Sequence, residues 1–135
     1  MANNPHFNVT LRNTILDAIT THVSTSAVFV IFAGNQPADV SSATTAANTV
    51  VASLAFPSTN AFGAAAAGVL TANTITSDSS AAGGTAVWFS IKKNTGARVI
   101  DGSVGTSSAD LNLNSTTITT GATVAISAFT VTFAA

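Results

Sequence analysis

The chain has 135 residues, the length of one domain, and only 7% of them are charged, against about 25% in a typical globular domain. A net charge of −1 with four basic residues excludes a nucleic-acid binder that works through attraction to phosphates. The absence of cysteine excludes disulfides and thiolate metal sites, and two histidines and five acidic residues leave few groups for catalysis. The composition predicts a protein that is not an enzyme and binds no cofactor, metal or nucleic acid.

The mean hydropathy is positive, +0.48, but the sequence contains no predicted membrane span. Alanine and valine account for much of this value, and no run of about 18 apolar residues is present. The opening residues, MANNPHFNVT, lack the charged and apolar regions of a secretory signal. We therefore expect no contact with a membrane.

The first predicted element is a helix over 9–23. Apolar side chains recur there at the spacing of one helical face, and Asn8 or Thr10 provides an N-cap. The apolar face consists of Leu11, Ile15, Ile19 and Val23, widened by Leu16. We expect this face to pack on a sheet, with Arg12 and Asp17 turned away from it; a partner-binding helix is the alternative.

The rest of the chain has the alternation and the Gly, Pro and Asn turns of β-structure. Predicted strands lie at 28–32, 50–56, 69–76, 85–92, 97–104, 111–114, 116–119 and 123–133. The last strand changes phase, because Val124 and Ile126 alternate on one face whereas Val131 and Phe133 alternate on the other. A bulge or bend near Ala128-Phe129 is therefore expected.

Short strands at this spacing, with a bend in the last one, predict a mainly β fold. The expected architecture is an antiparallel β-sandwich or jelly-roll-like fold with one N-terminal amphipathic helix. Residues 9–135 are expected to form a single domain, preceded by an N-terminal arm, residues 1–8.

Three groups of residues resemble chemical motifs, and each has a simpler structural interpretation. Gly63 and Gly68 have the spacing of a P-loop, but Val69 and Leu70 stand where lysine and a hydroxyl residue are needed. No GxSxG elbow accompanies the two histidines. Three aspartates near turns are expected to be solvated and bonded to their own backbone, with a structural cation as the alternative: Asp78, Asp101 and Asp110.

The candidate functional residues are those that an interface would use. Trp88 and Phe89 are adjacent in a predicted strand and face opposite sides, so one is expected in the core and the other at an interface. The basic residues of the hairpin around 93–96 predict a solvated tip or a contact with an acidic partner surface. The full set of interface candidates is Trp88, Phe89, Lys92, Lys93, Arg98, His6 and Phe7, the last two in the arm.

A series of segments in chain order also carries a family resemblance. These are LRNTILDAI at 11–19, VFVIFAG at 28–34, QPA at 36–38, LAF at 54–56, AFG at 61–63, GVL at 68–70, GTA at 84–86 and WF at 88–89. The most distinctive segment is DGSVGTSSADLNLN at 101–114. The series resembles a family of small virion structural proteins of tailed bacteriophages, which implies a virion location, synthesis in the host cytoplasm and no catalytic residues.

The resemblance and the neutral composition lead to two functional expectations. The first is a capsid decoration, or cement, protein that binds the major capsid protein or other virion proteins and stabilises the head. Such a protein is expected to be a homo-oligomer, for example a trimer. The second is a component of the neck, tail, baseplate or fibre, including a module that binds the host surface. A surface with few charges suits permanent burial in an assembly, because each buried charge would carry a desolvation cost.

Overall fold

The computed structural model describes residues 5–135, which form one helix and nine strands. The helix is α1 (Val9–Val23). The strands are β1 (Val28–Phe32), β2 (Val50–Ala55), β3 (Val69–Thr71), β4 (Gly84–Thr85), β5 (Trp88–Lys92), β6 (Arg98–Gly105), β7 (Leu111–Asn112), β8 (Thr117–Ile118) and β9 (Thr130–Thr132). Residues 1–4 of the predicted arm lie outside the described residues.

The largest sheet has five strands in the order β2-β1-β5-β6-β7. Its first four strands pair antiparallel, and β7 joins β6 in parallel. Two smaller antiparallel pairs, β3 with β9 and β4 with β8, complete the β-structure. This arrangement confirms the prediction of a mainly β, sandwich-like fold with one N-terminal helix.

Phenylalanine rings dominate the core on one face of the large sheet. Phe29 of β1 stacks on Phe89 of β5 with the ring centroids 4.7 Å apart, and Phe129 meets both rings edge-on. Gly102 of β6 lies opposite Phe89, and a Cβ atom at that position would lie 2.5 Å from the ring. The absence of a side chain at Gly102 therefore lets the ring of Phe89 lie against the sheet.

The helix begins and ends as predicted, but its buried face differs from the predicted one. Asn8 accepts a hydrogen bond from the backbone N–H of Leu11, which confirms the cap. Leu16 and Val23 are buried, whereas Leu11 and Ile15 are 44% and 38% exposed. The expected apolar face is thus wrong over its first half, because polar side chains on the opposite side bind the backbone of a loop.

The final segment is interrupted where the change of phase predicted a bend. Val124 pairs with Asp78 in an isolated bridge, a bend follows at Ser127, and only Thr130–Thr132 continues as a strand. The bend turns both phases inward, so that Ile126 and Phe129 are buried together. The predicted single strand over 123–133 is therefore two short pieces.

Candidate functional site

Trp88 and Phe89 face opposite sides of the sheet, as the alternation predicts, but neither is available as a surface anchor. Phe89 lies in the main core. Trp88 belongs to a small second cluster on the other face of the sheet, with Val30 and Phe32, and its ring stacks on Phe32 at 4.4 Å. The expectation that one of the two is an exposed interface residue is therefore wrong, because both are fully buried.

Arg98 explains why Trp88 is buried. Its guanidinium lies over the indole ring at 5.5 Å and forms an ion pair with Asp101 at 2.6 Å. It also donates to the backbone oxygens of Asp39 and Ser42, in the loop that joins β1 to β2. Arg98 and Asp101 thus have buried side chains that hold this loop to the sheet, so the prediction that they are solvated is wrong for these two residues.

The two lysines of the predicted tip are half-buried. The ammonium group of Lys92 lies 4.9 Å from the ring centroid of Phe32, so its stem covers part of the second cluster. Lys93 begins the turn of the β5–β6 hairpin, where its backbone pairs with Ala97 and Gly96. The predicted hairpin is confirmed, and its two lysines are the basic groups that the turn presents to solvent.

In the described part of the predicted arm, Phe7 packs against the body of the protein and His6 is exposed. Phe7 packs edge-on against Phe133, with the ring centroids 5.6 Å apart, and 39% of its surface stays exposed. The ring of Phe7 thus attaches the described end of the arm to the last residues of the chain, just before the helix cap at Asn8.

Polar side chains on the inner face of the helix bind a loop of small residues. Asn13 accepts from the backbone N–H of Gly68, and Asp17 accepts from that of Ala65. Arg12 donates to the backbone oxygen of Phe133. The loop with P-loop spacing thus uses its N–H groups to hold the helix, and those groups are not directed at a phosphate.

This docking leaves the side of the helix that carries Leu11 and Ile15 exposed. Among residues 5–135, four of the seven exposed large apolar side chains lie near the start of the helix, and we call this set the N-terminal apolar surface: Phe7, Val9, Leu11 and Ile15. Leu11 and Ile15 are four residues apart on the outward face, which carries no charged side chain because Arg12 and Asp17 point inward. This surface was not predicted from the sequence. Its sequence signal is the presence of polar residues in the helix, Asn13 and Asp17, together with a later loop of alanines and glycines.

All five aspartates accept hydrogen bonds from the chain itself. Asp78 accepts from the backbone N–H groups of Ser53 and Ser80, and these bonds lower its pKa from the ordinary value of 3.8. Asp110 accepts from the backbone and hydroxyl of Ser103, which likewise lowers its pKa. The expected backbone bonding of these two aspartates is confirmed, and their charges serve loops and turns.

Residues 5–135 meet the requirements of neither a metal site nor a membrane-spanning helix. Between 5 and 135, no group of three or more His, Asp or Glu side chains is placed to hold a metal ion. No helix in that range is long and apolar enough to cross a membrane. An open cavity of about 420 Å³ beside the helix has a mixed lining. Its polar residues are Asp17, Thr20, Thr21, Thr59, Asn60 and Asn73, and its apolar residues include Phe62 and Ala64.

No protein-family model, curated protein or solved structure matches the chain. The resemblance to virion proteins of tailed phages therefore stays a prediction.

Proposed function

We propose that the protein is a virion structural protein of a tailed bacteriophage: a capsid decoration protein that binds the assembled head from outside. The observation that carries this proposal is the N-terminal apolar surface, on a molecule whose aspartates are all engaged internally. A surface of this kind is suited to lasting contact with another protein, because its burial removes apolar area from water and desolvates few charges.

The mechanism is the use of binding energy. A protein that binds the assembled shell but not its free subunits stabilises the shell by mass action. Burial contributes about 25 cal/mol for each Å² of apolar surface, so a single small contact is weak and a shell is stabilised by many copies. A homo-oligomer, for example a trimer, would multiply the contact further at one site on the head.

The first test is the copy number of the chain relative to the major capsid protein, measured by quantitative mass spectrometry of purified particles. A decoration protein gives a ratio near one, or near one-third for a trimer at three-fold positions. A handful of copies per particle would contradict the proposal. Deletion of the gene should lower the temperature at which heads lose their DNA, and unchanged heat resistance would count against the cement role.

The second test places a charge on the proposed contact. Ile15→Glu introduces a carboxylate on the outward face of the helix, and we expect its binding to heads that lack the protein to fall more than about tenfold, because that charge must be desolvated. Val40→Glu is the matched control, since Val40 is an equally exposed apolar residue in a distant part of the sequence. Equal binding of the two variants would exclude this surface as the contact.

A neck, tail, baseplate or fibre component is the second candidate, and one observation favours its host-binding form. The open cavity beside the helix brings a carboxylate, three hydroxyls and two amides together, a set that forms hydrogen bonds to a neutral polar ligand. A low copy number, with loss of phage adsorption in Asn73→Ala particles, would support this candidate.

A further inference from the structure

Three buried polar atoms on the outer face of the large sheet have no hydrogen-bond partner among residues 5–135. They are the indole Nε1 of Trp88, the hydroxyl oxygen of Ser90 and the Oδ1 atom of Asp101. Trp88 and Ser90 are fully buried, and the side chain of Asp101 is 6% exposed. A buried polar group without a partner is costly, and three on one face of two neighbouring strands call for a common explanation.

The pairing of the strands brings these groups to one place. Ser90 of β5 lies directly opposite Asp101 of β6, so their side chains point to the same face with Cβ atoms about 5 Å apart. Trp88 lies on the same face, two residues before Ser90 in β5. The guanidinium of Arg98 contacts both the indole ring and the Asp101 carboxylate, which confirms that the tryptophan and the aspartate belong to one cluster.

The charges of this cluster determine what it can bind. Asp101 is neutralised by Arg98 through its other oxygen, Oδ2, so a further cation would be repelled by the guanidinium and an anion by the carboxylate. A neutral molecule remains. A single water molecule is the smallest neutral partner that can both donate and accept hydrogen bonds, as these three atoms require.

We infer that Trp88, Ser90 and Asp101 bind one internal water molecule. The indole N–H donates to the water, the water donates to Oδ1 of Asp101, and the Ser90 hydroxyl supplies the third bond. Three hydrogen bonds are the usual number for a buried water. The site joins β5, β6 and the loop that Arg98 holds, and it is independent of the proposed role in a virion.

The protein is well suited to a direct test, because Trp88 is its only tryptophan and gives a single indole N–H resonance. In the wild-type protein we expect a nuclear Overhauser cross-peak between that proton and a water molecule that stays bound for longer than the molecule takes to tumble. In Ser90→Ala the cross-peak should be lost or strongly reduced. Absence of the cross-peak in the wild type, or its persistence at full strength in Ser90→Ala, would overturn the shared site.

The direction of the change in Tm on thermal unfolding of Ser90→Ala is an independent test. If Ser90 is one partner of a bound water, Ser90→Ala removes a hydrogen bond and lowers Tm by a few degrees. If its hydroxyl has no partner at all, the same substitution removes an unsatisfied group and raises Tm. Ser103→Ala serves as the reference, because the Ser103 hydroxyl has protein partners in Asp110 and its loss must lower Tm.

Discussion

Arg98 joins a strand, a loop and a tryptophan, so its removal has three simultaneous effects. Arg98→Ala leaves the buried carboxylate of Asp101 without its partner and frees the loop around 39–42. Breaking a buried ion pair in this way typically costs 3–5 kcal/mol, and we expect a loss of about 3 kcal/mol in the free energy of unfolding. Denaturant titration measures that loss. The fluorescence of Trp88 should also shift to longer wavelength, because the indole ring loses its cover.

The control for this prediction is Lys93→Ala on the same hairpin. Lys93 has no side-chain hydrogen bond among the described residues, so its replacement should change stability by no more than about 0.5 kcal/mol. If Arg98→Ala behaved like Lys93→Ala, the guanidinium would not be what holds the loop. Unchanged fluorescence with lower stability would show that the loop covers Trp88 without it.

The aspartates at loops and turns make the fold sensitive to acid. The pKa of Asp78 and that of Asp110 are lowered by hydrogen bonds from backbone N–H groups, below the ordinary value of 3.8 that applies in the unfolded chain. Their stabilisation is therefore complete above that pH and is lost as the pH falls through the lower folded value. We expect the Tm of the wild type to decline below about pH 4.

Asp110→Asn tests this prediction, because asparagine keeps an acceptor oxygen but does not titrate. At pH 7 the variant should have a lower Tm than the wild type, since the charge-assisted bond from Ser103 is weakened. The difference should narrow as the pH falls from 3.8 through the lower pKa of the folded state, because the wild-type carboxyl then becomes neutral as well. A difference that stays constant from pH 7 to pH 2.5 would show that protonation of Asp110 does not contribute.

Hydrogen bonds from the loop backbone to side chains of the helix hold the helix in place, so the loss of one of them should weaken its docking. Asn13→Ala leaves the buried N–H of Gly68 without its acceptor, which costs about 1–3 kcal/mol. Thr14→Ala is the matched control on the next residue, because Thr14 bonds only to its own helix at Thr10. Chemical denaturation should separate the two variants, and equal stability would mean that apolar packing alone holds the helix.

The position of the helix could be predicted from the sequence, but its orientation could not. The cap at Asn8 and the apolar periodicity act locally, so the bounds 9–23 follow from short-range rules. Which face of the helix is buried depends on which face forms contacts with residues that are distant in the sequence. Here the partners are backbone N–H groups of residues 65 and 68, which no periodicity in the helix reveals.

The strands show the same division between local and distant causes. Val28–Phe32 and the hairpin around 93–96 were predictable because alternation and turn residues act over a few positions. The burial of Trp88 was not predictable, since it needs Arg98 and a loop about 50 residues earlier in the chain. Of the seven candidate interface residues, Phe7 belongs to the exposed surface that we propose as the contact.

At the scale of the whole molecule, the near absence of free charge predicts how binding responds to salt. Ionic strength weakens contacts between exposed charges and has little effect on apolar ones. We therefore expect the affinity for heads to change by less than about threefold between 50 and 500 mM NaCl. Sedimentation of heads with bound protein measures it. A tenfold loss of affinity at high salt would point instead to the two lysines of the hairpin.

Because the helix is attached to backbone groups of the loop, some side chains of that loop can be substituted during evolution. Asn13 and Asp17 hold the loop through its main chain, at the N–H groups of Gly68 and Ala65. Gly68 itself is fixed, because its φ is +78° and a Cβ atom would lie 2.5 Å from Arg12. The outward alanines at 64 and 66 are free to vary, so mutation can alter this part of the surface while the helix stays in place.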